Sequence, residues 1–383
     1  MSESLVYLDN NATTQVDPEV VEEMLPFLTS LYGNPSSAYG FGKQASQAIE
    51  KARERVSQLL QCEPSEIIFN SCGTEATNTA IHSALSADPD RQHIVTTRVE
   101  HSATVKTCEV LAKKGYEITW LGVNAKGQVN LEEVEKAVRP DTALMSVMWA
   151  NNETGTIFPI SELKEIAKKK GVYFHTDAVQ AVGKIPVKLG DSGIQYASLS
   201  GHKLHCPKGV GALFSSRRTR LTPYLLGGSQ ENGKRGGTQN VASIVGFGKA
   251  SELAAQQIEH NEKKLRVLRD RFEFSVMERV ERVKINGDIE NRLPNTTNLA
   301  FEGLDGEALL MLLDDKNICC SAGSACTSGS VNPSHVLKAM GCSDAHARAS
   351  LRFSVSHFNT EAEIDYAVNV IADVAAKLRK AFK

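Results

Sequence analysis

Residues 172–178 read VYFHTDA, and residues 195–203 read QYASLSGHK. Each is a short apolar run that ends in polar side chains: Asp177 closes the first, and Ser200, His202 and Lys203 close the second. A strand buried on both faces reads as a near-continuous hydrophobic run, and ligands of open α/β sheets gather at the carboxyl ends of the strands. The two stretches therefore predict two nearby central strands that deliver Asp177 and Lys203 to one crevice.

Working outward, IIFN (67–70), HIVTT (93–97), ALMSVMWA (143–150) and GVGALFSS (209–216) read as further strands. Helical patterns separate them. One runs from Lys43 to Leu60 with Ala45, Ala48, Ile49, Ala52, Val56 and Leu59 on one face. An alanine-rich run follows Cys72, a third helix ends near Lys114 before Gly115, and a fourth, capped by Ser161, ends in KKK before Gly171. This alternation predicts an α/β class with a mainly parallel sheet covered on both faces. After Gly246 the pattern changes to a long helical run from Ala250 to Arg279. Short strands at VKIN (283–286) and TTNLAF (296–301) and helices at Gly306–Asp314 and Glu361–Phe382 complete a smaller α+β domain. A chain of 383 residues exceeds what one hydrophobic core of about 250–300 residues holds, so two domains are expected.

The net charge of −2 argues against a general nucleic-acid binder, which carries a basic face. The start, MSESLVYLDNNATT, lacks a basic segment followed by an apolar run, and no window approaches the roughly 20 apolar residues of a membrane span. A cytoplasmic protein without membrane contact is expected. Its eight cysteines include no CxxC pair and read as reduced thiols. Cys319 and Cys320, on an extended segment, point to opposite faces, so no structural metal site is expected with Cys326.

The chemistry suggested is that of a pyridoxal 5'-phosphate enzyme. Lys203 is placed to form a Schiff base, and Asp177 to meet the pyridine nitrogen and keep it protonated. The phosphate needs donors at a helix start, and CGTEATN (72–78) offers the backbone around Gly73 and Thr74 with the Thr74 hydroxyl. Ser200 and His202 are close enough in sequence to Lys203 to serve the same anion. His101, after HIVTTRVE, is a candidate to stack on the ring and shuttle protons. Asn152 and Gln180 are candidates for the ring's phenolic oxygen. Taken singly, each has a plainer role as a strand-end cap, a helix start or a solvated side chain. Cys326 stands apart in SAGSACTSGS (321–330), a run of Gly, Ala, Ser and Thr that builds no packed element.

Together these segments resemble the class I cysteine desulfurases, in the aminotransferase-like superfamily of pyridoxal phosphate enzymes with fold type I. The resemblance rests on YLDNNATT (7–14), YGNPSS (32–37), SCGTEATN (71–78), EHSA (100–103), SVMWANNETGTIFPI (146–160), FHTDAVQAVGK (174–184), SLSGHKLH (198–205), PKGVG (207–211), GSACTSGS (323–330) and LRFSVSHFNTEAEID (351–365), which span essentially the whole chain. It implies a large cofactor-binding domain over 16–255 with a mainly parallel seven-stranded sheet between helices. The small domain would comprise 1–15 with 256–383 and carry a mobile catalytic-cysteine loop at about 321–333.

Residue by residue, the resemblance implies Lys203 as the Schiff-base lysine, Asp177 on the pyridine nitrogen, and Thr74, Ser200 and His202 on the phosphate. Asn152 and Gln180 would bind the phenolic oxygen, and His101 would stack on the ring. Thr238 would reach the phosphate of the neighbouring subunit in a homodimer. Arg352 would clamp the carboxylate of L-cysteine, helped by Asn34 and Asn152. Cys326 would be the nucleophile that takes sulfur and carries it, on a loop loose enough to swing, to an acceptor. That acceptor would be an iron–sulfur scaffold or a nitrogenase cluster-assembly protein, since the detailed pattern is similar to the nitrogenase-dedicated branch. Cys326 could also transiently ligate an iron–sulfur cluster shared with a partner.

A selenocysteine lyase or related C–S lyase, and a non-catalytic sulfur-transfer accessory protein, are the alternatives. The departures from the family pattern are Cys206 in HCPKG, read as a packed small hydrophobe, and Cys319 and Cys320, read as part of a buried strand. Gln239 stands where the family often has Glu. The sequence ends at RKAFK, without the longer tail by which housekeeping relatives engage their scaffold, so docking by that route is not expected.

Overall fold

The computed structural model describes residues 5–323 and 333–381; Cys326 lies outside the described residues. Its largest layer is a seven-stranded sheet in the order Ile67–Asn70, Gly211–Ser215, Tyr196–Ser200, Tyr173–Asp177, Thr142–Ser146, His93–Thr97, Glu117–Leu121. From Tyr196–Ser200 to Glu117–Leu121 all neighbours run parallel, while Gly211–Ser215 is antiparallel to both of its partners. The expected mainly parallel α/β sheet is present, and VYFHTDA and QYASLSGHK are adjacent strands at its centre.

One polar side chain runs through that centre. His175 pairs in register with Ser146 on one side and Tyr196 on the other. Its Nδ1 and Nε2 meet the hydroxyls of Ser146 and Ser198, each at 2.8 Å. Burial drives its imidazole down to about 3, so it is a neutral cross-strand tie.

The helix Gly40–Leu60 buries Ala45, Ile49, Ala52 and Val56. It crosses Val241–Arg279 so closely at Gly248 that a Cβ there would lie 2.5 Å from the Ala52 Cα. The long helix thus starts nine residues before the Ala250 expected from the sequence, with Asn240 capping the Ser243 N–H. Gly246 and Gly248 lower the intrinsic helix propensity of its first turns, but tertiary packing decides. Two other boundaries shift. The strand after Asp141 ends at Ser146, and the chain then leaves the sheet to form an isolated bridge between Ala150 and Ile157. The helix before Gly171 begins at Ile160 with Pro159 in the cap position, so Ser161 lies inside it. The edge strand Glu117–Leu121 and the helices Pro18–Thr29 and Leu131–Ala137 are additional to the sequence-based elements.

The second layer is an antiparallel sheet ordered Ser350–Ser354, Thr296–Phe301, Val283–Ile285, beside a parallel pair of Val6–Tyr7 with Ile318–Cys319. Among the described residues, buried apolar side chains form two large cores and a smaller third one around Ala80, Ile94, Leu144 and Tyr196. One gathers residues from Val20 to Ala254, and Val336, Leu337, Met340 and Ala347 return to it. The other gathers Val6 and Leu8 with residues from Leu265 to Leu378. The continuous helix Val241–Arg279 carries the chain from one core to the other. Among the described residues no helix is long and apolar enough to cross a membrane.

Candidate active site

Five sheet strands end at one cavity of about 200 Å³. Ile67–Asn70 leads to Gly73 and Thr74, His93–Thr97 to His101, and Thr142–Ser146 to Asn152. Tyr173–Asp177 ends in Asp177 itself, and Tyr196–Ser200 runs into the 3-10 turn Gly201–Lys203. Arg352 enters from the smaller sheet, and Gln180 from the turn after Asp177. Ten of the residues singled out in the sequence are thereby brought together around one space.

Lys203 Nζ donates to the backbone carbonyls of Asn11 and Ala12, each at 2.6 Å. The turn that carries it is tied to the same N-terminal segment: the Thr14 N–H donates to the His202 carbonyl at 3.0 Å, and Thr14 Oγ1 accepts the His205 N–H at 2.8 Å. Asp177 is buried, and its Oδ1 accepts the Val179 N–H at 3.0 Å. Burial pushes its carboxyl upward, and His101, the Val179 N–H and Lys203 pull it back down. A carboxylate in that position is stabilised by a cation arriving in the cavity.

His101 is the N-cap of the helix Ser102–Lys113. Its Nδ1 accepts the Ala103 N–H at 3.1 Å, which places the proton of the neutral ring on Nε2. His202 contacts the Thr13 hydroxyl through Nδ1, and burial, then the charges of Lys203 and Lys208, lower it to about 4. It is a neutral hydrogen-bonding group at physiological pH.

Arg352 is fully buried. Its Nη2 donates to Asp9 Oδ1 at 2.6 Å and to Ser321 Oγ at 3.2 Å, and its Nη1 to the Asn152 carbonyl at 3.0 Å. Its Nε has no hydrogen-bond partner, a buried donor unused within the described chain.

The donor set fits pyridoxal 5'-phosphate. The helix Gly73–Ala87 opens on the cavity, and its cap residue Cys72 makes no side-chain hydrogen bond to it, so the first N–H groups are not satisfied by a side-chain cap. A Cβ on Gly73 would lie 2.9 Å from Val179 Cγ2 and 3.5 Å from the Ser200 Cβ, which keeps that position open only for glycine. A phosphate-sized anion at this helix start, a ring nitrogen at Asp177 and an aldehyde at Lys203 match the chemistry of the residues present.

Two candidates lie elsewhere. Asn34 is exposed, and its Oδ1 accepts the Ser36 N–H at 2.9 Å within its own turn. Thr238 is exposed in the segment before the helix Val241–Arg279 and does not border the cavity. Cys326 lies outside the described residues. The sequence reasoning gave no role to Asn11, Ala12, Met148 or Lys184. The first two were signalled by the polar run DNNATT and act through backbone carbonyls, which side-chain chemistry does not reveal. Lys184 reads as one more solvated lysine until its burial is known.

Cys206 is fully buried in the larger core, and burial pushes its thiol well up, as expected of a packed small hydrophobe. Cys320 is buried in the smaller core and Cys319 is half-buried beside it. Among the described residues no group of three or more His, Cys, Asp or Glu side chains is arranged to hold a metal ion.

The aminotransferase class-V family model matches residues 6–367. Cysteine desulfurase NifS of Azotobacter vinelandii is 52% identical over 375 residues, covering 98% of this chain and 93% of that protein. A cysteine desulfurase of a Nostoc species is 51% identical over 376 residues, covering 98% and 94%. Among solved structures, a NifS-like protein superposes with a TM-score of 0.92 at 40% identity, covering 98% of this chain and all of the other. A NifS-like protein from Rickettsia africae superposes with a TM-score of 0.88 at 33% identity, covering 97% of this chain.

Proposed function

Because the chain belongs to the aminotransferase class-V family, in its NifS-type cysteine desulfurase branch, we infer that the cavity at Lys203 is where L-cysteine is desulfurated. The protein is a pyridoxal-phosphate-dependent cysteine desulfurase of fold type I. The observation that carries the assignment of the site is the convergence on one cavity of Asp177 and Lys203, from two adjacent strands, with Arg352, from the distant smaller sheet.

Lys203 would hold the cofactor aldehyde and Asp177 its ring nitrogen. Thr74, Ser200 and His202 would hold its phosphate beside the backbone at Gly73, with Asn152 and Gln180 at the phenolic oxygen and His101 over the ring. When bound, pyridoxal phosphate supplies an electron sink that lets the α-carbon of the amino acid give up its proton.

The rest is the work of the chain itself. Arg352, which borders the cavity, clamps the substrate carboxylate and so sets where the α-carbon lies. Lys203 Nζ, steered by the Asn11 and Ala12 carbonyls, takes the α-proton. His101, which borders the cavity and carries its proton on Nε2, donates a hydrogen bond that favours the thiolate form of the substrate. The Cys326 thiolate attacks the substrate sulfur: an S–S bond forms and the Cβ–S bond breaks. The electron pair stays with the three-carbon fragment, which takes up protons and leaves as alanine. Cys326 is then a persulfide, ready to hand its outer sulfur to an acceptor in iron–sulfur or nitrogenase cluster assembly. The enzyme works as a homodimer in which Thr238 reaches the neighbouring phosphate and Asn34 assists at the substrate carboxylate.

A mass spectrum after brief exposure to L-cysteine, for wild type and Cys326→Ala, tests this. A gain of one sulfur on Cys326, lost together with alanine release in the variant while visible cofactor absorbance remains, is the expected result. Full alanine release by Cys326→Ala would replace this reading with a lyase that releases sulfur without a protein persulfide. A wild-type protein that takes up no pyridoxal phosphate would point to the accessory role.

A further inference from the structure

Lys184 is 7% exposed, yet among the described residues no carboxylate forms an ion pair with it. It follows Gly183, whose left-handed φ of 77° lets the turn press against Leu204: a Cβ on Gly183 would lie 1.9 Å from a Leu204 methyl. The turn therefore delivers the Lys184 amine to the back of the active site. Both of its hydrogen-bond partners belong to Gln180, the backbone carbonyl at 3.1 Å and Oε1 at 2.9 Å.

The other end of the Gln180 carboxamide is equally constrained. Its Nε2 donates to the Asn11 carbonyl at 3.1 Å, the same carbonyl that receives Lys203 Nζ at 2.6 Å. An ammonium only donates and a peptide carbonyl only accepts, so these two neighbours permit one orientation of the amide. Oε1 must face Lys184, and Nε2 must face Asn11. Because Nε2 carries two hydrogens, one remains for the cavity that Gln180 borders.

We propose that Lys184 is a positioning residue of the cofactor site, locking the Gln180 carboxamide so that an N–H, never the carbonyl oxygen, faces the phenolic oxygen of the cofactor. This rests on the reading above that Gln180 serves that oxygen. An apolar side chain at 184 would leave the amide held by the Asn11 carbonyl alone, which Lys203 Nζ already engages, so the amide could turn and present an acceptor to an acceptor. The charged and titratable groups facing Lys184 are Lys203 and Arg352, with the imidazoles of His202 and His205 beside them. Asp17 and Glu19 line a second cavity that Lys184 and Lys203 also border. Burial, then the two cations, bring the amine down to about 7, so the donor-only ammonium that fixes the amide is the form present below neutrality, and above it the Asn11 carbonyl alone sets the orientation.

The test is an equilibrium titration of the apoprotein with pyridoxal 5'-phosphate, followed by visible absorbance, with a pH titration of the bound cofactor band. Lys184→Met is expected to weaken cofactor binding roughly tenfold, the scale of one charge-assisted hydrogen bond, and to shift the pH midpoint of the band. Lys184→Arg, which keeps donors, is expected to stay near wild type. In a Gln180→Leu background, Lys184→Met should change neither quantity further, since the amide it orients is gone. Wild-type binding by Lys184→Met overturns the proposal, as does an equal loss in the Gln180→Leu background. If Lys184→Met does not fold, Lys184→Ala, which leaves room for water, is held to the same two criteria. Failure of the wild type to bind the cofactor would instead overturn the site reading on which the proposal rests.

Discussion

Arg352 and Asp9 form a 2.6 Å ion pair in the wall of the active site, with only 1% and 14% of their side chains exposed. Asp9 also accepts the Ser321 hydroxyl at 2.8 Å, so the carboxylate is fixed before any substrate arrives. A buried guanidinium without a counter-ion is costly, and here the counter-ion is supplied by the strand-end segment YLDNN rather than by the sheet that carries Arg352.

Asp9→Asn should therefore destabilise the apoprotein by roughly 3–5 kcal/mol, because it leaves a buried cation unpaired. The carboxylate of a bound amino acid then becomes its main partner. L-alanine, which has the carboxylate but no sulfur to remove, should raise the melting temperature of Asp9→Asn more than that of wild type. Equal ligand-induced shifts in the two proteins would show that Asp9 does not govern the charge of Arg352.

Glu100 gives a pH dependence of unusual sign. It is buried just before His101, with Oε1 accepting from Thr97 Oγ1 at 2.8 Å and the Met148 N–H at 3.0 Å, while Oε2 has no partner. Burial raises its carboxyl from 4.5 to about 8, with Asp177 adding to the rise. Between those values the folded state holds a proton that the unfolded state has lost, so this group makes stability fall as pH rises. Glu100→Gln keeps the acceptor and cannot ionise. Relative to wild type it should gain on the order of 4 kcal/mol in unfolding free energy from pH 5 to pH 8, read by denaturant melts of the apoprotein. A difference that stays constant with pH would mean that Glu100 is ionised in the fold.

Much of this was legible in the sequence because the central strands carry their polarity at one end. Asp177, Ser200 and Lys203 each have a plainer reading alone, and it is their joint place at the ends of neighbouring apolar runs that declares the site. Arg352, Asn34, Thr238 and the role of Cys326 came only from resemblance, as spacing says nothing about which distant segments meet. The support behind the site was hidden for a different reason. Asn11 and Ala12 contribute carbonyl oxygens, which every residue has. Lys184 and Glu100 are unremarkable by type and informative only by burial. The edge strand Glu117–Leu121 escaped because one half-exposed edge offers no continuous apolar run.

Gly73→Ala probes the phosphate end. The added methyl would sit 2.9 Å from Val179 Cγ2, closer than side chains pack, at the start of the helix that opens on the cavity. Relief requires Val179 or the helix start to move by several tenths of an ångström, which displaces the first N–H groups. Pyridoxal phosphate affinity should fall at least tenfold, about 1.4 kcal/mol, while the apoprotein keeps its far-ultraviolet circular dichroism. Unchanged affinity would remove this helix start from the cofactor site.

Gln239 explains itself through Glu231. The Glu231 carboxylate is buried and accepts from Arg53 Nη1 at 2.7 Å, Arg53 Nη2 at 3.1 Å and the Phe69 N–H at 2.9 Å. Gln239 Nε2 completes the set with a 2.5 Å hydrogen bond to Oε1. A glutamate at 239 would turn that donor into a second carboxylate, with Arg53 already shared between Glu231 and Glu50. Gln239→Glu should cost about 1–3 kcal/mol at pH 8, the price of an unsatisfied buried contact. The loss should shrink at pH 5, where the new carboxyl can keep a proton and donate it to Glu231. Denaturant melts at the two pH values decide the matter. A loss of equal size at both would trace the effect to shape, and no loss at pH 8 would mean that Glu231 does not need the Gln239 donor.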